Sequence, residues 1–261
     1  MKKLKKAAAK LKQTFASAST RKAWELMEEM GTHPEFALPG HDVRSNRKML
    51  DLIAAGADLT LHDRNGWTML MRASFFGCAA AVPALLEKGA DVHAREIKVE
   101  GEGYTRQSAI ILAAMKGHAD IVGMLLKAGA NPNDADTNGQ TALHFAWDAD
   151  TVETLLRAGA DLERRDNWGR TPLILQAHGE ISEGLDVMLK WGASLEAKDN
   201  EGNNALAYAQ QMPHPRYEAL RERVVKAYNA DAAEKLPVVQ ESFSVRKPLT
   251  LKPRNTHKFA R

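Results

Sequence analysis

The chain has 261 residues, of which 44% are hydrophobic and 26% are charged, the composition of an ordinary globular protein. It has no apolar run of about 20 residues, which excludes a membrane-spanning helix, and its one cysteine, Cys78, excludes a disulfide-rich secreted scaffold and favours a reducing compartment. The net charge of +3 is distributed unevenly along the chain. Residues 1–22 and 242–261 together hold 14 basic and no acidic residues. The body between them therefore has 22 basic and 33 acidic residues, a net charge of −11.

Residues 1–19 form a predicted basic N-terminal segment. Its start resembles a signal peptide, but Lys10 and Lys12 interrupt the apolar stretch that secretion needs, so we do not predict secretion. Drawn as a helix, the segment places four apolar residues on one face, as a weak membrane-surface helix would: Leu4, Ala8, Leu11 and Phe15. A frayed, solvated terminus is the simpler interpretation, and we prefer it.

The next segment, residues 20–55, is predicted to form two amphipathic helices that begin the folded body. Their apolar residues are Trp24, Leu26, Met27 and Met30 in the first and Met49, Leu50, Leu52 and Ile53 in the second. Pro34 and the Pro39-Gly40-His41 stretch predict a long loop between the two helices.

A ten-residue string then recurs five times along the chain. It reads LIAAGADLTL at 52–61, LLEKGADVHA at 85–94, LLKAGANPND at 125–134, LLRAGADLER at 155–164 and MLKWGASLEA at 188–197. Its glycines are separated by 33, 40, 30 and 33 residues. Self-similarity near 33 residues predicts stacked units that are individually too small to bury their apolar faces.

The residues within each unit predict its local structure. In the second string Leu85 and Leu86 end a helix, and Gly89 provides a left-handed C-cap. The Asp-x-x-Gly pattern, as in residues 63–66, predicts a tight turn, and Thr171-Pro172-Leu173 predicts an N-cap, a first helical residue and a core residue. Gly117-His118 ends that type of helix, and residues 121–126 form the apolar stripe of a second.

These residues resemble the ankyrin repeat, over about residues 50–210. The strings DRNGWTMLMRASFFGCAAAVPALLEKGADVHAR at 63–95 and DNWGRTPLILQAHGEISEGLDVMLKWGASLEA at 166–197 carry the match. The resemblance implies an all-α repeat protein over residues 20–229, an ankyrin-type helix-turn-helix solenoid of about six units, two of them caps, with β-hairpin-like fingers.

Two units depart from the pattern. Seven extra residues lie between Ala94 and Ser108, and because residues 97–100 alternate before two glycines we predict a lengthened finger. Three residues are missing after Ala146, where Trp147 occupies a position at which the family has a small residue. The tryptophan either fills the space left by the shortened turn or distorts the stack.

The last predicted unit begins at Asn204 and continues into a charged helix with Leu220, Val224, Val225 and Tyr228. Residues 230–261 have no periodicity, are basic and are broken by prolines. We predict that this C-terminal tail is disordered by itself.

Patterns for catalysis, metal ligation and phosphate binding are missing, so we predict no enzyme activity, no cofactor, no metal and no small-molecule substrate. His118 and His144 occupy framework positions, where a hydrogen bond within or between repeats is the expected role. Cys78 is expected to be a small filler of the turn between two helices.

The resemblance implies that partners bind the fingers and the concave face of the first helices. Carried over position by position, it selects Arg64, Asn65, Trp67, Phe75, Phe76, Met115, Lys116, Asn138, Gln140, Asn167, Trp168 and Arg170, with Thr137 and His178 beside them. Tryptophan and arginine are typical interface anchors. Phe75 and Phe76 have an alternative role, which is packing against the neighbouring unit.

We therefore predict a non-enzymatic, cytoplasmic, monomeric protein–protein interaction module whose acidic body favours partners with basic segments. In an alternative, the basic ends dock on nucleic acid or on an anionic membrane. In a third possibility the C-terminal tail lies along the acidic groove and occludes it.

Overall fold

The computed structural model describes residues 18–32, 41–63, 65–97, 105–178, 183–211, 222, 224–227 and 229, and for residues 28–32, 41–45, 178 and 211 it describes the backbone alone. The helices of these ranges are α1 Ala18–Thr32, α2 His41–Ala54, α3 Met69–Phe75, α4 Ala81–Glu87, α5 Ala109–Met115, α6 Ala119–Lys127, α7 Ala142–Phe145, α8 Ala149–Arg157, α9 Pro172–His178, α10 Glu183–Lys190 and α11 Ala205–Gln211. Extended pairing in the same ranges is limited to two isolated antiparallel bridges, Arg95 with Ser108 and Ala135 with Thr141.

The helices form two parallel rows. The odd-numbered helices, α1 to α11, each pack against the next odd-numbered helix, and we call them the first-helix row. The even-numbered helices, α2 to α10, pack in the same way and form the second-helix row. Each helix from α1 to α10 also packs against its partner within the unit, so the predicted all-α solenoid of stacked helix pairs is confirmed.

The core is shared between units, because no unit has enough apolar surface to close a core of its own. Small residues line the contact between units: Ala113 and Ala114 of α5 are fully buried, as is Ala73 of α3. Within a unit the apolar stripe of the second helix, as in Ile121 and Leu125, is fully buried against the first. These side chains belong to a single cluster that continues through the stacked units.

The helix starts predicted after Thr68 and Thr171 are confirmed. The side chain of Thr68 accepts a hydrogen bond from the N–H of Met71 at the start of α3, and α9 begins at Pro172, directly after Thr171. Ser108 occupies the corresponding position before α5 but makes no side-chain cap. The five glycines of the recurring string all have positive φ, as their C-cap role requires.

The N-terminal pair α1 and α2 closes one end of the stack. Trp24, Leu26 and Met27 of α1 are buried, and so are Met49 and Ile53 of α2. Leu50, grouped with these residues in the prediction, is 36% exposed. Residues 33–40 of the predicted loop and the side chain of Met30 lie outside the described residues, and His41 belongs to α2 rather than to the loop.

The middle of the predicted lengthened finger, residues 98–104, lies outside the described residues. The arms of the finger are joined at their base, where the Glu96 N–H donates to the Gln107 carbonyl at 2.9 Å beside the bridge of Arg95 with Ser108.

The three-residue deletion shortens α7 to four residues without interrupting the stack, since α5, α7 and α9 still pack in order. The carbonyl of Ala146, released by the early end of the helix, accepts the Gln176 side-chain amide at 2.6 Å. Trp147 does not fill a buried gap, because it is 50% exposed. Its ring lies against the turn at the end of α5 in the preceding unit, where its Nε1–H donates to the Met115 carbonyl at 3.3 Å.

The last described unit consists of α11 and helical residues 224–227, where Val224 is buried as predicted. Leu220, Tyr228 and the tail at 230–261 lie outside the described residues, as do residues 1–17. Among the described helices, none is both long and apolar enough to cross a membrane.

Candidate protein-binding surface

Four fingers are organised by one aspartate each. In the finger of Asp166, Oδ1 accepts the backbone N–H groups of Trp168 and Arg170, both at 2.9 Å. Asp63, Asp136 and Asp199 bind the N–H groups two and four residues further along their own fingers in the same way. The Asp-x-x-Gly pattern is therefore a loop held together by its own carboxylate.

Neighbouring fingers are joined into a ladder. The Thr137 N–H donates to the Thr105 carbonyl at 2.8 Å, the Asn167 N–H to the Asn138 carbonyl at 2.9 Å, and the Asn200 N–H to the Trp168 carbonyl at 2.9 Å. The side-chain amides of Asn167 and Asn200 add further bonds, to the carbonyls of Thr137 and Asn167. The fingers thus form one connected edge on which side chains keep fixed spacings.

The second carboxylate oxygen is paired in three of the four fingers. Asp63 Oδ2 pairs with Arg72, Asp166 Oδ2 with Arg170 at 2.8 Å, and Asp199 Oδ2 with the Tyr208 hydroxyl at 2.5 Å. Asp136 Oδ2 is buried and has no hydrogen-bond partner among the described residues.

Because of this difference in pairing, the pKa values of the aspartates in two neighbouring fingers are shifted in opposite directions. Burial raises the pKa of Asp136 above its ordinary value, and the backbone hydrogen bonds to its other oxygen do not compensate. Burial by itself would also raise the pKa of Asp166, but the hydrogen bonds from Arg170 and Gln140 outweigh it and hold that pKa below its usual range.

The predicted framework role of the two histidines is confirmed. The Nε2 atom of His118 lies 3.3 Å from the Phe75 carbonyl of the preceding unit, and that of His144 lies 3.3 Å from the Arg170 carbonyl of the next. Because the Thr141 N–H donates to Nδ1 of His144 at 3.1 Å, the proton of the neutral ring resides on Nε2. Burial lowers the pKa of His144.

An aromatic cluster occupies the first full unit and reaches into the second. The Trp67 and Phe75 rings lie 5.1 Å apart between centroids, and Phe75 and Phe76 also lie 5.1 Å apart. The ammonium of Lys116 lies 4.4 Å from the centroid of Phe75. All three aromatic side chains are half-buried, so they contact their neighbours and also keep an exposed part.

Trp67 is held more firmly than the sequence indicated. The guanidinium of Arg72 stacks 4.6 Å from its ring centroid, and its Nε1–H donates to Glu96 Oε1 at 3.4 Å. Arg72 and Glu96 are both buried, so the ring is fixed from two sides by neighbours that the mapping did not select.

Trp168 is a separate anchor at the tip of its finger. It is 49% exposed, and the guanidinium of Arg170 lies 4.6 Å from its ring centroid. The same guanidinium is fixed by Asp166 through both Nε, at 2.9 Å, and Nη2. A large apolar surface is thereby presented to solvent on an ordered loop, which lowers the entropy lost when a partner binds.

The remaining predicted residues are distributed along the ladder. Asn65, Met115 and Asn138 are half-buried, and Lys116 and Asn167 are exposed. Gln140 is only 8% exposed and its amide donates to Asp166 Oδ2 at 3.2 Å, so we leave it out of the proposed contact surface. Arg64 and the side chain of His178 lie outside the described residues.

Sequence reasoning did not select two exposed tryptophans. Trp147 was predicted either to fill the space left by the shortened turn or to distort the stack, because the deletion obscures its position within the repeat. Trp191, which stands in a variable position of the recurring string, is 45% exposed and donates its indole N–H to Glu153 Oε2 at 2.9 Å, a bond that lowers the pKa of Glu153. Its place at the end of α10 puts it beside the second-helix row, away from the finger tips.

The described residues hold no group of three or more metal-ligating side chains. Cys78 is buried in the turn between α3 and α4.

Comparison with known proteins agrees with this architecture. The model described as ankyrin repeats in three copies matches residues 93–166, and the single ankyrin-repeat model matches residues 65–97. The B-cell lymphoma 3 protein homolog of Mus musculus is 37% identical over 99 residues, 38% of this chain. Rabankyrin-5 of Homo sapiens is 33% identical over 36% of this chain, and the neurogenic locus notch homolog protein 4 of Homo sapiens is 33% identical over 61%.

The chain spans only a small part of these relatives, 21%, 9% and 8% of their respective lengths. The likeness is therefore one of repeats rather than of whole proteins.

Proposed function

We propose that this chain, which contains ankyrin repeats, binds a protein partner through the finger ladder and the exposed aromatic side chains of the first-helix row. Ankyrin repeats form protein–protein interaction modules and are generally not enzymes. The proposal goes further in choosing the face and the anchoring residues of this chain.

The observation that supports this choice most directly is Trp168. A tryptophan that is half exposed on a loop, stacked with an arginine that a buried carboxylate fixes, is ordered before any partner arrives. Such a side chain contributes affinity at low entropic cost, and tryptophan and arginine are frequent hot spots of interfaces.

The test uses two tryptophans of nearly equal exposure. Proteins captured by the intact chain are compared with those captured by Trp168→Ala and by Trp191→Ala, since Trp191 lies on the other row. We expect a specific prey to be lost or weakened by Trp168→Ala, by about 2 kcal/mol or roughly thirtyfold in Kd, and to be retained by Trp191→Ala. Equal capture by both variants would remove the proposal.

The charge of the partner is a separate part of the proposal. The body of the chain has a net charge of −11, which favours encounter with partners that carry basic segments. Five acidic residues, Asp63, Glu96, Asp136, Asp166 and Asp199, are buried and therefore do not offer direct contacts to a partner. An affinity for the captured prey that does not change between low and high salt would contradict this part.

We also propose a monomer that acts in a reducing compartment of the cell. The compartment is supported by the sequence, in which Cys78 is the only cysteine, so that no internal disulfide can form. Sedimentation of the full chain measures the first point, and fractionation of cells that express it measures the second.

A further inference from the structure

A continuous surface strip crosses three successive units, from the finger of the first unit along the ends of the three first helices. It consists of Trp67, Phe75 and Phe76 of the first, Met115 and Lys116 of the second, and Trp147 of the third, and we call it the aromatic strip. Each junction is a direct contact: ring to ring within the first unit, ammonium to ring between the first and second, and indole N–H to carbonyl between the second and third.

Trp147 gives the strip its largest exposed apolar side chain. Its Nε1–H donates to the Met115 carbonyl, and its Cζ2 lies 3.2 Å from the position that a Cβ at residue 117 would occupy. The ring is therefore close against the turn that ends α5, although 50% of the residue remains exposed. Because Gly117 has no side chain, the indole can approach this turn closely.

Lys116 gives the strip its exposed charge. Its ammonium lies over the Phe75 ring and makes no ion pair with any described carboxylate, whereas Arg72, which lies over the Trp67 ring, is buried and paired with Asp63. An ammonium held over a ring can still bind a carboxylate from above, since the ring occupies one side of it only.

We infer that the aromatic strip binds a short protein segment in which a bulky apolar side chain contacts Trp147 and an aspartate or glutamate pairs with Lys116. The inference rests on the proposed function and specifies the contact chemistry of the partner. It is compatible with a partner of net positive charge, because net charge governs the encounter and the local pair governs the contact.

The test selects a displayed library of random 16-residue peptides on the full chain and measures the affinity of the selected peptides by titration. We expect the peptides to be enriched in a carboxylate near a bulky apolar residue. We expect Lys116→Glu to weaken their binding about tenfold or more and Trp147→Ala to weaken it to a similar degree. Lys127→Glu is the matched control for charge, because Lys127 is exposed at the end of α6 in the other row, and Trp191→Ala is the control for an exposed ring.

Trp147→Phe distinguishes the contribution of an aromatic ring at this position from that of the hydrogen bond to the Met115 carbonyl. It keeps an aromatic ring but removes the bond to Met115, so we expect intermediate binding, and circular dichroism shows whether each variant keeps its helix content.

Several results would overturn the inference: no selected binder, enrichment of basic residues, or equal effects of Lys116→Glu and Lys127→Glu. If binding depends on Trp168 but not on Trp147 or Lys116, the inference fails and the proposed function stands. If captured proteins and selected peptides depend on none of the three, both fail.

Discussion

At the scale of single residues, the finger glycines have two separate reasons to lack a side chain. Gly169 has a φ of +78°, and a Cβ there would overlap Asn200, with the Asn200 nitrogen at 2.9 Å. Gly202 has a φ of +85° but meets nothing within 4 Å. The first glycine therefore serves both backbone conformation and close approach of the next finger, and the second serves conformation alone.

Replacing each by alanine separates the two effects. Gly202→Ala should cost about 1 kcal/mol for the left-handed backbone, and Gly169→Ala should cost at least about 1 kcal/mol more because Asn200 must move. Urea unfolding of the two variants beside the parent chain measures the difference. Equal costs would show that the fingers do not meet as closely as described.

His144 makes stability depend on pH. Its folded pKa lies below the ordinary value of 6.5 because the ring is buried, so the folded state binds fewer protons than the unfolded state. The contribution is complete above pH 6.5 and is lost as the pH falls from there through the folded pKa. Protonation of the ring would also remove the hydrogen bond that Nδ1 accepts from the Thr141 N–H and place two N–H groups facing each other.

We expect the free energy of unfolding to fall between pH 7 and pH 5, and to fall less steeply in His144→Gln. The comparison of slopes isolates this residue from Asp136, whose raised pKa acts in the opposite sense, adding stability as the pH decreases. Identical slopes for parent and variant would contradict the assignment.

At the scale of the element, the second carboxylate oxygen of Asp136 has no hydrogen-bond donor among the described residues. In the fingers of Asp63 and Asp199 the donor is the fourth residue of the helix that follows the finger. That residue is Arg72 in α3 and Tyr208 in α11, and in α7 it is Phe145. Phe145 therefore stands in the register from which a donor reaches the carboxylate, without having a donor. The burial of an unpaired oxygen at Asp136 is the consequence.

A pair of reciprocal substitutions tests this register. Phe145→Tyr should stabilise the chain by about 1 kcal/mol by supplying a hydroxyl to Asp136, and Tyr208→Phe should destabilise it by a similar amount. Thermal unfolding gives both signs. A destabilised Phe145→Tyr variant would mean that the α7 ring points away from the finger.

At the scale of the whole molecule, the division between acidic body and basic ends distinguishes a protein-binding solenoid from a module that docks through its termini. Arg21 and Lys22 belong to α1, next to the buried Ala23 and Trp24. A clean deletion of the basic ends therefore removes residues 1–17 and 230–261 and leaves α1 intact.

We expect the trimmed chain to keep the helix content of the solenoid and the prey of the intact chain, and to lose affinity for heparin and for anionic vesicles. Cosedimentation and capture with both chains measure these properties. Loss of the prey on trimming would favour the alternative in which the basic ends are the docking elements.

Helix positions were predictable because their signals are local. Thr68, Pro172 and the cap glycines act on the backbone within one turn, so the repeat spacing alone placed nearly every helix. The exposure of Trp168 was predictable for the same reason, since it occupies a variable tip of a locally determined turn.

Burial was less predictable, because it depends on contacts between units. Gln140 is buried and donates a hydrogen bond to Asp166, 26 residues away, and Trp67 donates one to Glu96, 29 residues away. The effect of the deletion after Ala146 was also left open by the sequence, because the partners of its released carbonyl and of Trp147 come from the two adjacent units.

The sequence by itself determined the period, the helix pairs, the capping residues and the division of charge, since these follow from interactions among residues close together in the chain. The tertiary structure alone decided which carboxylates are buried, which rings remain exposed and which cation lies over which ring. Those properties arise where one unit packs against the next, and sequence spacing does not specify side-chain contacts across that interface.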